Sequence, residues 1–124
     1  GQAHAIRLAD DDLMTFGALW KVGQWRRSKE GEDIPKAPIS VILTCEPNEH
    51  IARYHHRAPV IIRPEDWTTW LDPDAPKEAV AALCTSLSAE QIRSYPVPND
   101  VGTIGVQDPS FLEPLPADQV LPPG

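Results

Sequence analysis

The stretch "PISVILTCEP", Pro38 to Pro47, narrows most what this chain can become. Strict alternation puts Ile39, Val41, Leu43 and Cys45 on one face and Ser40, Ile42 and Thr44 on the other, the mark of a strand in a sheet. Pro47-Asn48 ends it. A second apolar run, Pro59 to Ile62, follows the unusual stretch "YHHR" at Tyr54 to Arg57. Two histidines and a cation therefore stand at the mouth of a strand that enters a core.

The rest of the pattern is short elements. "AHAIRLA", Ala3 to Ala9, reads as a strand that opens almost at once, and the acidic triple Asp10 to Asp12 as a turn. "LMTFGALWKV", Leu13 to Val22, reads as its return strand, so a hairpin is expected, with Gly17 marking a bulge or a close backbone approach. Residues 23 to 38 read as a surface loop with a mobile tip at "SKEGED". "RPEDWTTWLDP" has a proline, two acids and then Trp67 and Trp70 three apart, which predicts a short amphipathic helix. "PKEAVAALCTSL" predicts the best helix, with Val80, Leu83 and Cys84 on one stripe. Ser88 to Gln91 has the spacing of a capping box, and "SYPVP" is extended. Strands, then short helices, then a strand give an α+β chain.

Composition sets limits on function. At 124 residues the chain fits one domain, taken as 1–114, with 115–124 as a proline-rich, disordered tail. Seven of the 14 prolines lie from Pro96 onward. No run of apolar residues is long enough to span a membrane, and the start "GQAHAIRLADDD" has no signal-peptide pattern, so a cytoplasmic protein is expected. The net charge of −7 argues against a general nucleic-acid coat. Yet no acid lies between Glu49 and Glu65, where Arg53, Arg57 and Arg63 fall, and such a local cationic island can hold an anion.

Three constellations compete for chemistry. Zinc is disfavoured: His50 and His55 are too far apart for a helical pair, and adjacent His55 and His56 in extended chain would face opposite ways. Nucleophilic catalysis lacks its nucleophile, because Cys45 and Cys84 sit in apolar settings and read as buried free thiols. His55 and Arg57 remain. Two apart in a strand, they would share one side, a proton exchanger beside a permanent cation of the kind that grips phosphate. Trp20, Trp25, Trp67 and Trp70 have the right chemistry to stack bases, but beside Leu and Val they read first as core.

The stretches "TFGALWKVGQW", "SVILTCEPNEHIARYHHRAPVII", "PEDWTTWLDP" and "SYPVP" together resemble the second half of the SOS-response-associated peptidase (SRAP) family, in the family's order from Gln2 to Pro114. The H-x-R-x-P block and its spacing from the preceding threonine are the most specific part. The resemblance implies a SRAP-like fold of antiparallel, curved sheets with short flanking helices, of which this would be the C-terminal portion. It also implies recognition of abasic sites in single-stranded DNA. In the family a mature N-terminal cysteine forms a DNA–protein crosslink, freed by an autopeptidase step. By motif His55 matches the active-site histidine, Arg57 the arginine on a flanking phosphate, and Thr44 a threonine of the same pocket; His56 would face away. No metal or cofactor is implied.

The departures bear on activity. The family's N-terminal cysteine and its glutamate have no counterpart here, Lys21 stands where the family has glutamate, and Ala58 where it has methionine. The chain alone is therefore expected not to crosslink DNA. Its open sheet edges predict pairing with the missing N-terminal half, or self-association. A non-catalytic remnant acting as a binding or structural module is the first rival, and a peptidase acting on other proteins the second.

Overall fold

The computed structural model describes residues 1–24, 30, 33–105 and 107–121. Trp25, most of the "SKEGED" tip and Pro122 to Gly124 lie outside the described residues. The chain divides into two compact units, Gly1–Leu13 with Glu90–Gly124, and Met14–Ala89.

In the first unit β1, His4–Leu8, pairs antiparallel with a strand from near the far end, Ile92–Pro96, with Ile6 opposite Ser94 and Leu8 opposite Ile92. Ala9 N–H to Gln91 O (2.8 Å) and Val97 N–H to Ala3 O (3.0 Å) continue the ladder beyond both ends. Leu8, Ile92 and Val97 are buried. The acidic triple does make the expected turn. Asp11 takes a left-handed φ of 62°, its N–H reaching Leu8 O at 3.2 Å, while Arg93 and Arg7 flank its carboxylate. Asp is among the few residues that tolerate this conformation.

The expected hairpin of Ala3–Ala9 with Leu13–Val22 does not form. β2, Ala18–Gly23, pairs instead with β3, Ala37–Ile42, Leu19 lying opposite Val41 and Lys21 opposite Ile39. After the Asp11 turn the chain passes into the second unit, so β1 is left to a partner that no local turn signal announces.

The second unit is organised around Gly17. Its N–H donates to Val60 O (2.8 Å) and its carbonyl accepts from Leu43 N–H (2.9 Å), while Val60 N–H donates to Leu43 O (2.9 Å). A bridge between Phe16 and Ile61 and a bond from Ile62 N–H to Thr15 O (3.0 Å) extend the contact. The strand expected to run unbroken through "PISVILTCEP" therefore changes partner at Leu43: β3 serves β2, and β4, Thr44–Cys45, serves β5, Ala58–Pro59. Ile51, Ala58, Val60, Ile61 and Ile62 are buried in this unit, so the apolar run after "YHHR" does enter a core.

A close approach explains the glycine. A Cβ at position 17 would lie 3.0 Å from Cζ2 of Trp70 and 3.1 Å from Cγ1 of Val60. Trp70 is brought there by α1, Trp67–Leu71, which follows a 3-10 turn at Pro64–Asp66. The Trp67 indole N–H donates to Thr15 Oγ1 (3.0 Å) and Ile62 O (3.2 Å), fixing the helix to the strand segment. α2, Lys77–Ala82, half-buries the expected stripe of Val80, Leu83 and Cys84. Trp20 departs from the core expectation and is 72% exposed.

A 3-10 turn covers Ala89–Gln91, and further 3-10 turns follow β6, Ile92–Pro96, at Asn99–Gly102, Pro109–Leu112 and Ala117–Gln119. In the first unit Leu115 N–H bonds Pro96 O (2.9 Å) and Leu121 N–H bonds Gln2 Oε1 (3.0 Å). Antiparallel strand pairs with two short helices give the α+β class expected. No helix among the described residues is long and apolar enough to cross a membrane.

Candidate functional site

The site is carried by β4 and by the loop that closes onto β5. Asn48 builds that loop. Its Oδ1 accepts from Ile51 N–H (2.9 Å) and its carbonyl from Ala52 N–H (2.9 Å). Its own amide donates to Leu87 O (2.8 Å) and its backbone N–H to Ser86 Oγ (3.1 Å). This Asx-type turn nucleates the 3-10 turn Ile51–Arg53 and ties it to the segment after α2. Buried Ile51 anchors it. The sequence offered Pro47-Asn48 as a strand end; the same dipeptide is what positions the histidines.

Arg57 is the best-organised cation of the site. Nε–H donates to Thr44 Oγ1 (3.3 Å), and Nη2 donates to Thr44 O (2.7 Å) and Oγ1 (3.2 Å). Nη1 donates to Glu46 Oε1 at 2.6 Å. Thr44 thus grips the Nε/Nη2 side and β4 sets the direction of the guanidinium. The Arg57 side chain is 37% exposed and that of Glu46 87%. The cationic island is therefore partly answered by acids at its margins, since Arg63 Nε also lies 4.0 Å from Glu65 Oε1.

His55 is exposed, and its Nδ1 lies 3.0 Å from both the N–H and the carbonyl oxygen of Arg57. With a lone pair on Nδ1 the ring accepts from the N–H; with a proton there it donates to the carbonyl. Either tautomer is held in one place, so Nε2 is left to give or take a proton without the ring having to turn.

Two expectations about the histidines are corrected. His55 and His56 do not face opposite ways: their rings stack, with centroids 4.4 Å apart and planes 24° from parallel. Likewise His55 and Arg57 meet through the backbone rather than as same-side strand neighbours. The cause is common to both: regular strand begins only at Ala58, and residues 54–57 form a turn and bend, where the two-residue alternation does not apply.

His50 belongs to a neighbouring group. Arg53 Nη2 lies 2.8 Å from His50 Nδ1, and the Arg53 guanidinium sits 5.7 Å from the Tyr54 ring centroid. Desolvation, and then the Arg53 charge, hold the His50 imidazole below its ordinary pKa, so it stays neutral further into acid than a free histidine. Burial pushes the Cys45 thiol up, against the smaller opposing pull of Arg57. Both cysteines are free and half-buried rather than fully buried. A raised thiol is a poor nucleophile at neutral pH. Among the described residues no cluster of three or more His, Cys, Asp or Glu is arranged to hold a metal ion.

The three residues singled out from the sequence, Thr44, His55 and Arg57, are thus brought together by direct bonds. Sequence reasoning missed Glu46 and Asn48. Nothing in the spacing distinguishes Glu46 from any surface acid; Asn48 carried a signal in its Pro-Asn context.

Comparison with known proteins gives the chain a family. The family model described as "SOS response associated peptidase (SRAP)" matches residues 1–104. The abasic site processing protein YoqW of Bacillus subtilis (strain 168), and that of Bacillus phage SPbeta, are each 27% identical over 109 residues, 87% of this chain and 46% of the relative. A crystal structure of a protein from Bacteroides thetaiotaomicron superimposes with a TM-score of 0.71 at 23% identity, over 90% of this chain and 47% of that one. The chain spans about half the length of the curated relatives it matches.

Proposed function

Because the chain belongs to the SOS response associated peptidase (SRAP) family, we propose that it contributes the phosphate-holding and proton-transferring side of a site that recognises abasic positions in single-stranded DNA. Arg57 binds a phosphate flanking the lesion, Thr44 holds the guanidinium and lines the pocket, and His55 moves a proton to or from the sugar oxygen or the imine. The single observation that carries this reading is the interlock of the three: Thr44 fixes the Arg57 guanidinium while the Arg57 backbone holds the His55 ring. The name of the Bacillus relatives, abasic site processing protein, supports the same assignment.

On this reading neither Cys45 nor Cys84 is the nucleophile of the covalent step. Covalent capture, and the peptidase step that frees its cysteine, belong on this reading to a chain of the relatives' full length, bearing an N-terminal cysteine and acting in the cytoplasm at the nucleoid.

Replacing Arg57 with alanine tests the phosphate role. Fluorescence anisotropy with a labelled single-stranded oligonucleotide carrying a stable abasic analogue is expected to give weaker binding. The slope of log K against log salt is expected to flatten by about 0.7, the share of one phosphate contact on a single strand. An unchanged slope would remove Arg57 from the DNA.

The β2–β3 hairpin supports a surface for a partner. Leu19, Trp20, Val22, Val41 and Ile42 are each at least half exposed, on both faces of a two-stranded ribbon, and Leu19, Trp20, Ile39 and Val41 border a groove of about 480 Å³. A strand apolar on both faces is the kind buried between two layers. On this proposal its occupant is polypeptide from the half of the relatives' length that this chain does not span, and without it a second copy takes its place. Sedimentation is then expected to show concentration-dependent self-association that Val41→Lys abolishes. A wild-type chain that stays monomeric at high concentration would contradict it.

A further inference from the structure

We propose that Glu46 is a built-in competitor at the Arg57 site: its carboxylate occupies the place an incoming phosphate oxygen would take, and must be displaced for phosphate to bind. The proposal rests on the assignment of Arg57 to phosphate and adds a competitor to it.

The donor set of the guanidinium leads to this. Thr44 Oγ1 accepts from both Nε and Nη2, and Thr44 O from Nη2, so the side on which arginine usually makes its paired contact is already used. The nitrogen that Thr44 does not hold is Nη1, and there Glu46 Oε1 sits at 2.6 Å. A carboxylate oxygen at that distance has the charge and the hydrogen-bonding character of a phosphate oxygen, so it marks where an anion binds. The two acidic groups cannot share the place without strong like-charge repulsion.

Exposure decides which of them moves. Arg57 is tied to the β4 backbone, whereas the Glu46 side chain is 87% exposed and is held, among the described residues, through this ion pair. An exposed pair of this kind is worth little, so a strand of phosphates supported by other contacts displaces the carboxylate, while a lone carboxylate or weak anion gains nothing over it. Glu46 thereby raises the concentration at which any phosphate takes the guanidinium.

The test compares wild type, Glu46→Gln, Arg57→Ala and the double variant in two titrations. In the first, inorganic phosphate is added and the Arg57 Nε–H resonance is followed by NMR in the two chains that retain the arginine. The midpoint is expected to fall about two- to fivefold in Glu46→Gln, the scale of an exposed ion pair. In the second, the oligonucleotide with the abasic analogue is expected to bind Glu46→Gln more tightly by a similar factor, and the gain to vanish when Arg57→Ala is added. A phosphate midpoint that is unchanged or higher in Glu46→Gln overturns the proposal. If Arg57→Ala leaves oligonucleotide binding intact, the DNA assignment fails, and the phosphate titration still decides the part played by Glu46.

Discussion

Substituting His55 by alanine is expected to slow reaction with an abasic site by about a hundred- to ten-thousand-fold, the usual span for loss of a positioned general acid or base. The setting is a chain of the relatives' full length that carries this segment. The fold should not change, because the ring is exposed and its hydrogen bonds among the described residues run to the Arg57 backbone. Single-turnover time courses on denaturing gels give the rate, and circular dichroism checks the fold. Because Nδ1 finds a partner in either tautomer, His55→Gln keeps a hydrogen-bonding side chain but cannot carry the proton, and it should lose nearly as much. The stacked neighbour supplies the counter-test. His56→Ala removes a packing surface and not the proton carrier, so its loss should be much smaller; equal losses would transfer the role to His56, and unchanged rates in His55→Ala would end the acid–base assignment.

A methyl group at position 17 is expected to cost about 1–3 kcal/mol of stability, the usual penalty for overpacking. The new carbon would stand 3.0 Å from Trp70 Cζ2 and 3.1 Å from both Cη2 and Val60 Cγ1. Relief by backbone movement is blocked, because Gly17 is bonded through its N–H to Val60 and through its carbonyl to Leu43. The indole must therefore shift, which pulls on α1 and on the ladder at once. Urea unfolding should show a lower midpoint at unchanged slope. Gly102→Ala is the control: among the described residues nothing lies within 4 Å of a Cβ there. It should stay within about 0.5 kcal/mol of wild type. A Gly17→Ala chain as stable as that control would mean that the strand segment and Trp70 are not in contact.

Much of this was legible in the sequence, and the reason differs from element to element. The β1 and β6 stretches, the Trp67 helix and the close approach at Gly17 follow from local signals: alternation, a proline-and-acid helix start, and a residue without a Cβ. The pairing of β1 was not legible, because the turn at Asp10 to Asp12 suggests a neighbour, while the actual partner lies near residue 94. Nor was the change of partner at Leu43, since alternation continues through it and only the position of Gly17 and Val60 divides the strand. At the site, the nearness of Thr44 to Arg57 came from the resemblance of the motif and not from spacing. The stacked histidines were missed because strand periodicity was extended three residues too early, into a bend that Asn48 and Ile51 create. Glu46 shows the limit most plainly: an acid outside the cationic stretch in sequence lies against its central arginine in space.

Competition between two oligonucleotides tests the central claim most directly. A labelled single strand bound to the chain is displaced either by an unlabelled strand with one stable abasic analogue or by the intact strand of the same length, at one salt concentration. The account predicts displacement at several-fold lower concentration by the abasic strand, with the difference lost in Arg57→Ala. Equal displacement by the two strands, with wild type and variant alike, would contradict it.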